Sequence, residues 1–187
     1  DEIIKVIKKY CTINDINSLT IDLLNLLKTN HYDFTKGVLQ PMLKDLLTEK
    51  TIKLGVSATD WEDCIRKGGE ILKENGCISD EYIDAMIDSV KKIGPYIVIA
   101  PGIAMPHARP EAGVKKIGMS LMTLKNPINF GNKDNDPAKI VICICSIDHS
   151  SHLKALAELV AVLDNEENVS KIKEAQDVND ILYLFQN

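Results

Sequence analysis

Only four histidines occur in the 187 residues, and surplus positive charge and long apolar runs are missing altogether. The formal net charge of −5 gives no electrostatic footprint for nucleic acid. No apolar run reaches the ~18 residues of a transmembrane helix, and no charged-then-apolar leader with a small-residue cleavage site is present. Nucleotide and hydrolase signatures are also absent: there is no P-loop, no GxGxxG after a strand and no GxSxG. If this chain handles phosphate, the donor is therefore expected to be a phosphoprotein or a small phosphate rather than a bound nucleotide, and no cofactor is implied. The five cysteines, Cys11, Cys64, Cys77, Cys143 and Cys145, are odd in number and lie mostly in apolar periodic segments. That pattern reads as reduced, buried thiols of a cytoplasmic protein rather than a disulfide framework.

What is present is an ordinary globular balance, 45% hydrophobic and 26% charged, which leaves homo-oligomerisation open. The chain opens on Asp1 rather than Met, so it is expected to be part of something longer. Residues 2–10 and 15–28 have helical apolar spacing, and His31 to Pro41 reads as a connector. A new amphipathic segment runs from Met42 to Leu47. Ile52–Val56 reads as a strand. Thr59, three residues before Glu62, predicts a helix carrying Trp61, Ile65, Ile71 and Leu72 and stopping at Gly76. Ser79 opens a second helix with Tyr82, Ile83, Met86, Ile87 and Val90, ended by Gly94-Pro95.

Three strands are expected at Tyr96–Ala100, Lys116–Leu124 and Ile140–Ile147, with a polar turn from Asn126 to Pro137 between the last two. The polar cluster Asp148 to Ser151 then predicts an N-cap for a helix over Leu153–Leu163. Shorter helices are expected near Val169–Ala175 and Val178–Phe185. Helices before, between and after strands predict an α/β class, a mixed sheet sandwiched between helices with an N-terminal helical extension.

Chemistry concentrates in Ile99–Pro110, IAPGIAMPHARP, where three prolines and a glycine surround His107. Proline fixes φ and removes a donor, so this stretch reads as a stiff, irregular loop after a strand, suited to aiming one side chain. Residue chemistry alone leaves two readings of His107, a packing histidine or a reactive one. His152 sits where a helix N-terminus would favour an anion, and His149 lies in the turn before it. Leu153 and Leu156 are expected to anchor that helix. A metal reading is weak. His149 and His152 lack the HExxH spacing, and Cys143 and Cys145 alternate on an apolar strand, both facing the core.

From Thr51 to Asn187 the sequence resembles the EIIA domain of the bacterial phosphotransferase system (PTS), of the mannitol/fructose type and its ascorbate-like branch. The residues that carry the resemblance are Gly102–Arg109 (GIAMPHAR), Tyr96–Pro101 (YIVIAP) and Ser151–Leu159 (SHLKALAEL), with Glu111–Val114 and Lys125–Phe130 in support. The resemblance implies that His107 accepts phosphate from HPr, that His152 is the second active-site histidine, and that an EIIB domain is the acceptor or neighbour. Arg109 is a further candidate for holding phosphoryl charge, against a reading as a solvated arginine. Mannitol-type members have an arginine in the preceding helix where Ser89 stands here, a departure that fits the ascorbate-like branch.

The segment Lys9–Leu19 is similar to what lies between an EIIB-like domain and a C-terminal EIIA domain in BglG/MtlR-type transcriptional regulators and antiterminators. Residues 1–47 are thus expected to be a helical linker or tail, and 48–187 the EIIA domain. The resemblance implies a regulatory module; a stand-alone transport component and a non-catalytic binding module are the alternatives.

Overall fold

Two long apolar strands hold the centre of the computed structural model, which describes residues 41–148 and 152–186. Strand β4 runs Gly118–Ile128 and β5 runs Ala138–Cys145, paired antiparallel from Gly118 opposite Cys145 to Thr123 opposite Ile140. Both are buried almost continuously where they pair, as expected of strands covered on both faces. Strand β1 (Ile52–Val56) pairs parallel with β4, and β3 (Ile103–Ala104) pairs parallel with β5. Strand β2 (Val98–Ala100) closes the edge antiparallel to β3, giving a mixed five-stranded sheet in the order β1-β4-β5-β3-β2.

The two-residue period of β5 sorts its side chains into two cores. Val141, Cys143 and Cys145 face helices α2 (Trp61–Glu74) and α3 (Asp80–Ile93), where they meet Cys64, Ile65, Leu72, Tyr82, Ile83 and Met86. Ile140, Ile142 and Ile144 face the other layer: α1 (Leu43–Leu46), α4 (Leu153–Leu163), α5 (Glu166–Glu174) and α6 (Val178–Gln186). Leu43, Leu47, Leu159, Ile172 and Ile181 fill that side. The sandwich expected from the sequence is therefore the observed fold. No helix among the described residues is long and apolar enough to cross a membrane.

Several boundaries differ from expectation for identifiable reasons. The cap of α2 is Asp60 rather than Thr59: the Asp60 carboxylate accepts the Asp63 N–H at 2.9 Å, and Asp63 reaches back to accept the Thr59 N–H at 2.9 Å. The first strand after α3 starts at Val98 because Gly94, at φ 99°, and Pro95 turn the chain before it; Tyr96 N–H and Val98 N–H are spent in that turn. Strand β4 passes through Asn126 and Pro127 to Ile128, where its register with β5 is irregular and the side chains are exposed. A proline is tolerated at such a break in the ladder. Strand β3 lies inside what reads as an irregular loop. The predicted helix of residues 15–28, together with His31 and Cys11, falls outside the described residues.

Cys64, Cys77, Cys143 and Cys145 are buried and free. Burial pushes the Cys64 and Cys143 thiols up to about 12, so both stay protonated in the fold. A hydrogen bond with Cys77, then burial, holds the Cys145 thiol well above its usual range.

Helix α2 approaches its neighbours through two successive buried glycines. A Cβ on Gly68 would stand 2.5 Å from Cys143 Sγ, and one on Gly69 would stand 2.7 Å from Ile83 Cγ1. The carbonyl of Gly68 also accepts the buried Ser120 hydroxyl at 2.8 Å. Gly68→Ala should overpack the layer between α2 and β5 and cost about 1–3 kcal/mol, read as a lowered Tm in thermal unfolding. An unchanged Tm would show that Cys143 can move aside.

Candidate functional site

The loop after β3 is held to the sheet by its carbonyls. Pro106 lacks an N–H, yet its C=O accepts the Ile144 N–H at 3.1 Å, and Met105 N–H donates to Ile97 C=O at 2.7 Å. The ladder is thus prolonged past Ala104, and it delivers His107 exposed at the surface. The prolines that suggest irregularity sit at positions whose missing N–H is not needed.

Nδ1 of His107 is 2.9 Å from the Met105 carbonyl oxygen. A carbonyl can only accept, so Nδ1 carries the hydrogen, and in the neutral ring the lone pair belongs to Nε2. The Tyr96 ring meets the imidazole edge-on, with centroids 5.5 Å apart and planes at 86°. The backbone therefore selects a tautomer and an aromatic wall holds the ring.

Arg109 is exposed at the rim. Its extended backbone begins a 3-10 turn over Pro110–Ala112, and no ion pair engages it among the described residues. On the opposite side β5 ends, Ser146 Oγ donates to the Asp148 carbonyl at 2.7 Å, and His152 caps α4 through its backbone. Of the expected N-cap cluster, Asp148 lines the cleft, and His149 to Ser151 fall outside the described residues. Nor does Leu153 anchor the helix: it is 48% exposed, and Ala155 and Leu159 are the buried contacts. Half-buried His152 has an Nδ1 that is fully enclosed without a hydrogen-bond partner among the described residues.

His107, Arg109 and His152 line one cleft of about 410 Å³, together with Ser89, Tyr96 and Leu156. Two larger recesses, of about 550 and 680 Å³, contain no histidine or cysteine, and Glu158 in the first is engaged with the Leu43 N–H at 2.7 Å. Size does not identify the reactive site here; side-chain chemistry does. No cluster of three or more His, Cys, Asp or Glu able to hold a metal occurs among the described residues. Sequence reasoning missed Tyr96 and the Met105 carbonyl, because neither a ring's approach nor a backbone acceptor leaves a motif.

An exposed imidazole with one nitrogen tied to the backbone and the other open to a cleft presents a nucleophilic lone pair at the surface of this α/β sandwich. The family model described as "Phosphoenolpyruvate-dependent sugar phosphotransferase system, EIIA 2" matches residues 45–187, and the chain belongs to that family of phosphoryl carriers. It is 39% identical over 145 residues to the ascorbate-specific PTS system EIIA component of Escherichia coli K12, covering 76% of this chain and 94% of that protein. The solution structure of the mannitol-specific cryptic phosphotransferase enzyme IIA CmtB from Escherichia coli superposes with a TM-score of 0.70 at 36% identity, over 78% of this chain and 98% of that one. The complex of the Escherichia coli mannitol enzyme IIA with phosphorylated mannitol enzyme IIB gives a TM-score of 0.67 at 30% identity, over 74% and 96%.

The tautomer is directly observable. Long-range 1H–15N NMR of neutral His107 should find the proton on Nδ1; a predominant Nε2–H form would contradict the Met105 contact.

Proposed function

We propose that Nε2 of His107 accepts the phosphoryl group of phosphorylated HPr. The observation that carries this reading is the 2.9 Å contact of Nδ1 with the Met105 carbonyl, which leaves Nε2 as the open lone pair in the cleft. In the transfer, the Nε2–P bond forms as the donor's N–P bond breaks, and the donor imidazole leaves with that electron pair. The His107 ring gains positive charge while keeping its Nδ1 hydrogen, and the Met105 carbonyl stabilises that charge. Such a step needs little beyond positioning and electrostatics. His152, at the start of α4, supports the phosphoryl oxygens together with the helix N-terminus, and Arg109 supplies a rim cation.

The domain works, in this reading, in the cytoplasm as the C-terminal module of a sugar-responsive transcriptional regulator or antiterminator. The segment before α1 forms the linker or the tail of a preceding EIIB-like domain, while α1, whose Leu43 and Leu46 lie in the core with Leu47, belongs with the carrier and not, as the sequence suggests, with the linker. Two features support this context: the likeness of Lys9–Leu19 to regulator linkers, and the 44 residues that precede the matched region. Phosphorylation then adds about two negative charges that alter docking with neighbouring domains. A second reading, a transport component that passes phosphate to an EIIB cysteine, is favoured by the ascorbate-specific EIIA relatives, matched over 94% of their length.

Phosphoenolpyruvate, Enzyme I and HPr supply the test, read by intact mass. The unmodified protein should gain one acid-labile phosphate and His107→Ala none, while His152→Ala should slow labelling on the order of 10²-fold without abolishing it. Phosphate on His107→Ala would refute the acceptor, and a folded protein that takes none would be a non-catalytic binding module.

A further inference from the structure

His107 is flanked by two residues that are both tied to Ile144. Pro106, before it, accepts the Ile144 N–H through its carbonyl at 3.1 Å. Ala108, after it, makes no direct bond to that strand; the Tyr82 hydroxyl fills the gap. Ala108 N–H donates to Tyr82 Oη at 3.0 Å, and Tyr82 Oη lies 2.9 Å from the Ile144 carbonyl. The Ala108 carbonyl is also near, at 3.1 Å. A phenol has one hydrogen to donate, and the shorter, buried contact to Ile144 takes it. The phenol therefore bridges Ala108 to Ile144, with its ring buried in the core at 1% exposure.

Resting on the reading of His107 as phosphoryl acceptor, we propose that Tyr82 is a positioning residue for the transfer: its hydroxyl fixes the C-terminal side of His107, so that Nδ1 stays on the Met105 carbonyl and Nε2 stays aimed into the cleft. Three elements meet in this one group, since α3 carries the tyrosine, the active loop supplies Ala108, and β5 supplies Ile144. Beyond Ile144 the same strand leads to Ser146, Asp148 and His152 of the cleft. One hydroxyl thus ties the loop that bears one histidine to the strand that leads to the other. Burial holds the Tyr82 phenol well above its usual range, so it remains a neutral donor at all working pH values. Replacing it by phenylalanine keeps the ring in the core but leaves the Ala108 N–H without its acceptor. Small displacements of a reacting group cost rate steeply.

The test compares Tyr82→Phe with Ile87→Val, a buried change on the same helix at a residue that does not line the cleft. Phosphorylation by HPr should slow about tenfold or more in Tyr82→Phe and stay near the unmodified rate in Ile87→Val. Long-range 1H–15N NMR should show the Nδ1–H tautomer of His107 depleted only in Tyr82→Phe. Equal slowing in both variants, an unmodified rate in Tyr82→Phe, or an unchanged tautomer would overturn the proposal. Should Tyr82→Phe fail to fold, amide exchange in the unmodified protein decides: Ala108 N–H should be as protected as the β5 ladder, and free exchange there would refute the bridge. If the unmodified protein takes no phosphate, the acceptor reading fails by itself, while tautomer and exchange still test the bridge.

Discussion

Everything the cleft can do depends on the hydrogen bond from His107 Nδ1 to the Met105 carbonyl. Without it, a neutral exposed imidazole divides its hydrogen between two nitrogens and turns about its side-chain bonds, and no lone pair is aimed. With it, one nitrogen is committed and the other is open. The bond lies within a three-residue span, so it requires the backbone from Met105 to His107 to hold one shape. Pro106 and the prolonged ladder against Ile144 supply that stiffness.

The rest of the fold keeps this short span still. β5 is the common support. Its alternating side chains feed both cores, its Ile144 grips the loop, and its end leads toward His152. Fully burying one Ile or Leu contributes about 1.5–3 kcal/mol, whereas a typical hydrogen bond contributes about 0.5–1.5 kcal/mol net. The two apolar layers therefore carry stability, and the polar contacts at the cleft carry direction. Ion pairs play little part, since those described, such as Arg66 with Asp84 and Lys73 with Asp80, lie on the surface and are screened.

The sequence made His107 conspicuous because proline, glycine and histidine crowd into twelve residues, and the helices were legible from apolar spacing with glycine stops. Less legible were features set by close approach. Tyr82 reads as one more apolar position of a helix, and only the fold shows its hydroxyl reaching Ala108. Gly68 and Gly69 look like weak helix residues until the strand and helix beside them are placed. β3 is two residues long and is a strand only because β5 and β2 pair with it on either side. The shift of the cap from Thr59 to Asp60 reflects a choice between adjacent oxygens that spacing alone does not rank. Leu153 fits the apolar period yet is half exposed, because the buried positions of α4 are Ala155 and Leu159.

The most direct measurement is the position of the phosphate on the imidazole ring, read by 1H–15N and 31P NMR of the phosphorylated, 15N-histidine-labelled protein. Phosphorus is expected on Nε2 of His107, with Nδ1 still protonated and bonded to the Met105 carbonyl. Phosphorus on Nδ1, or on any other residue, would contradict that assignment.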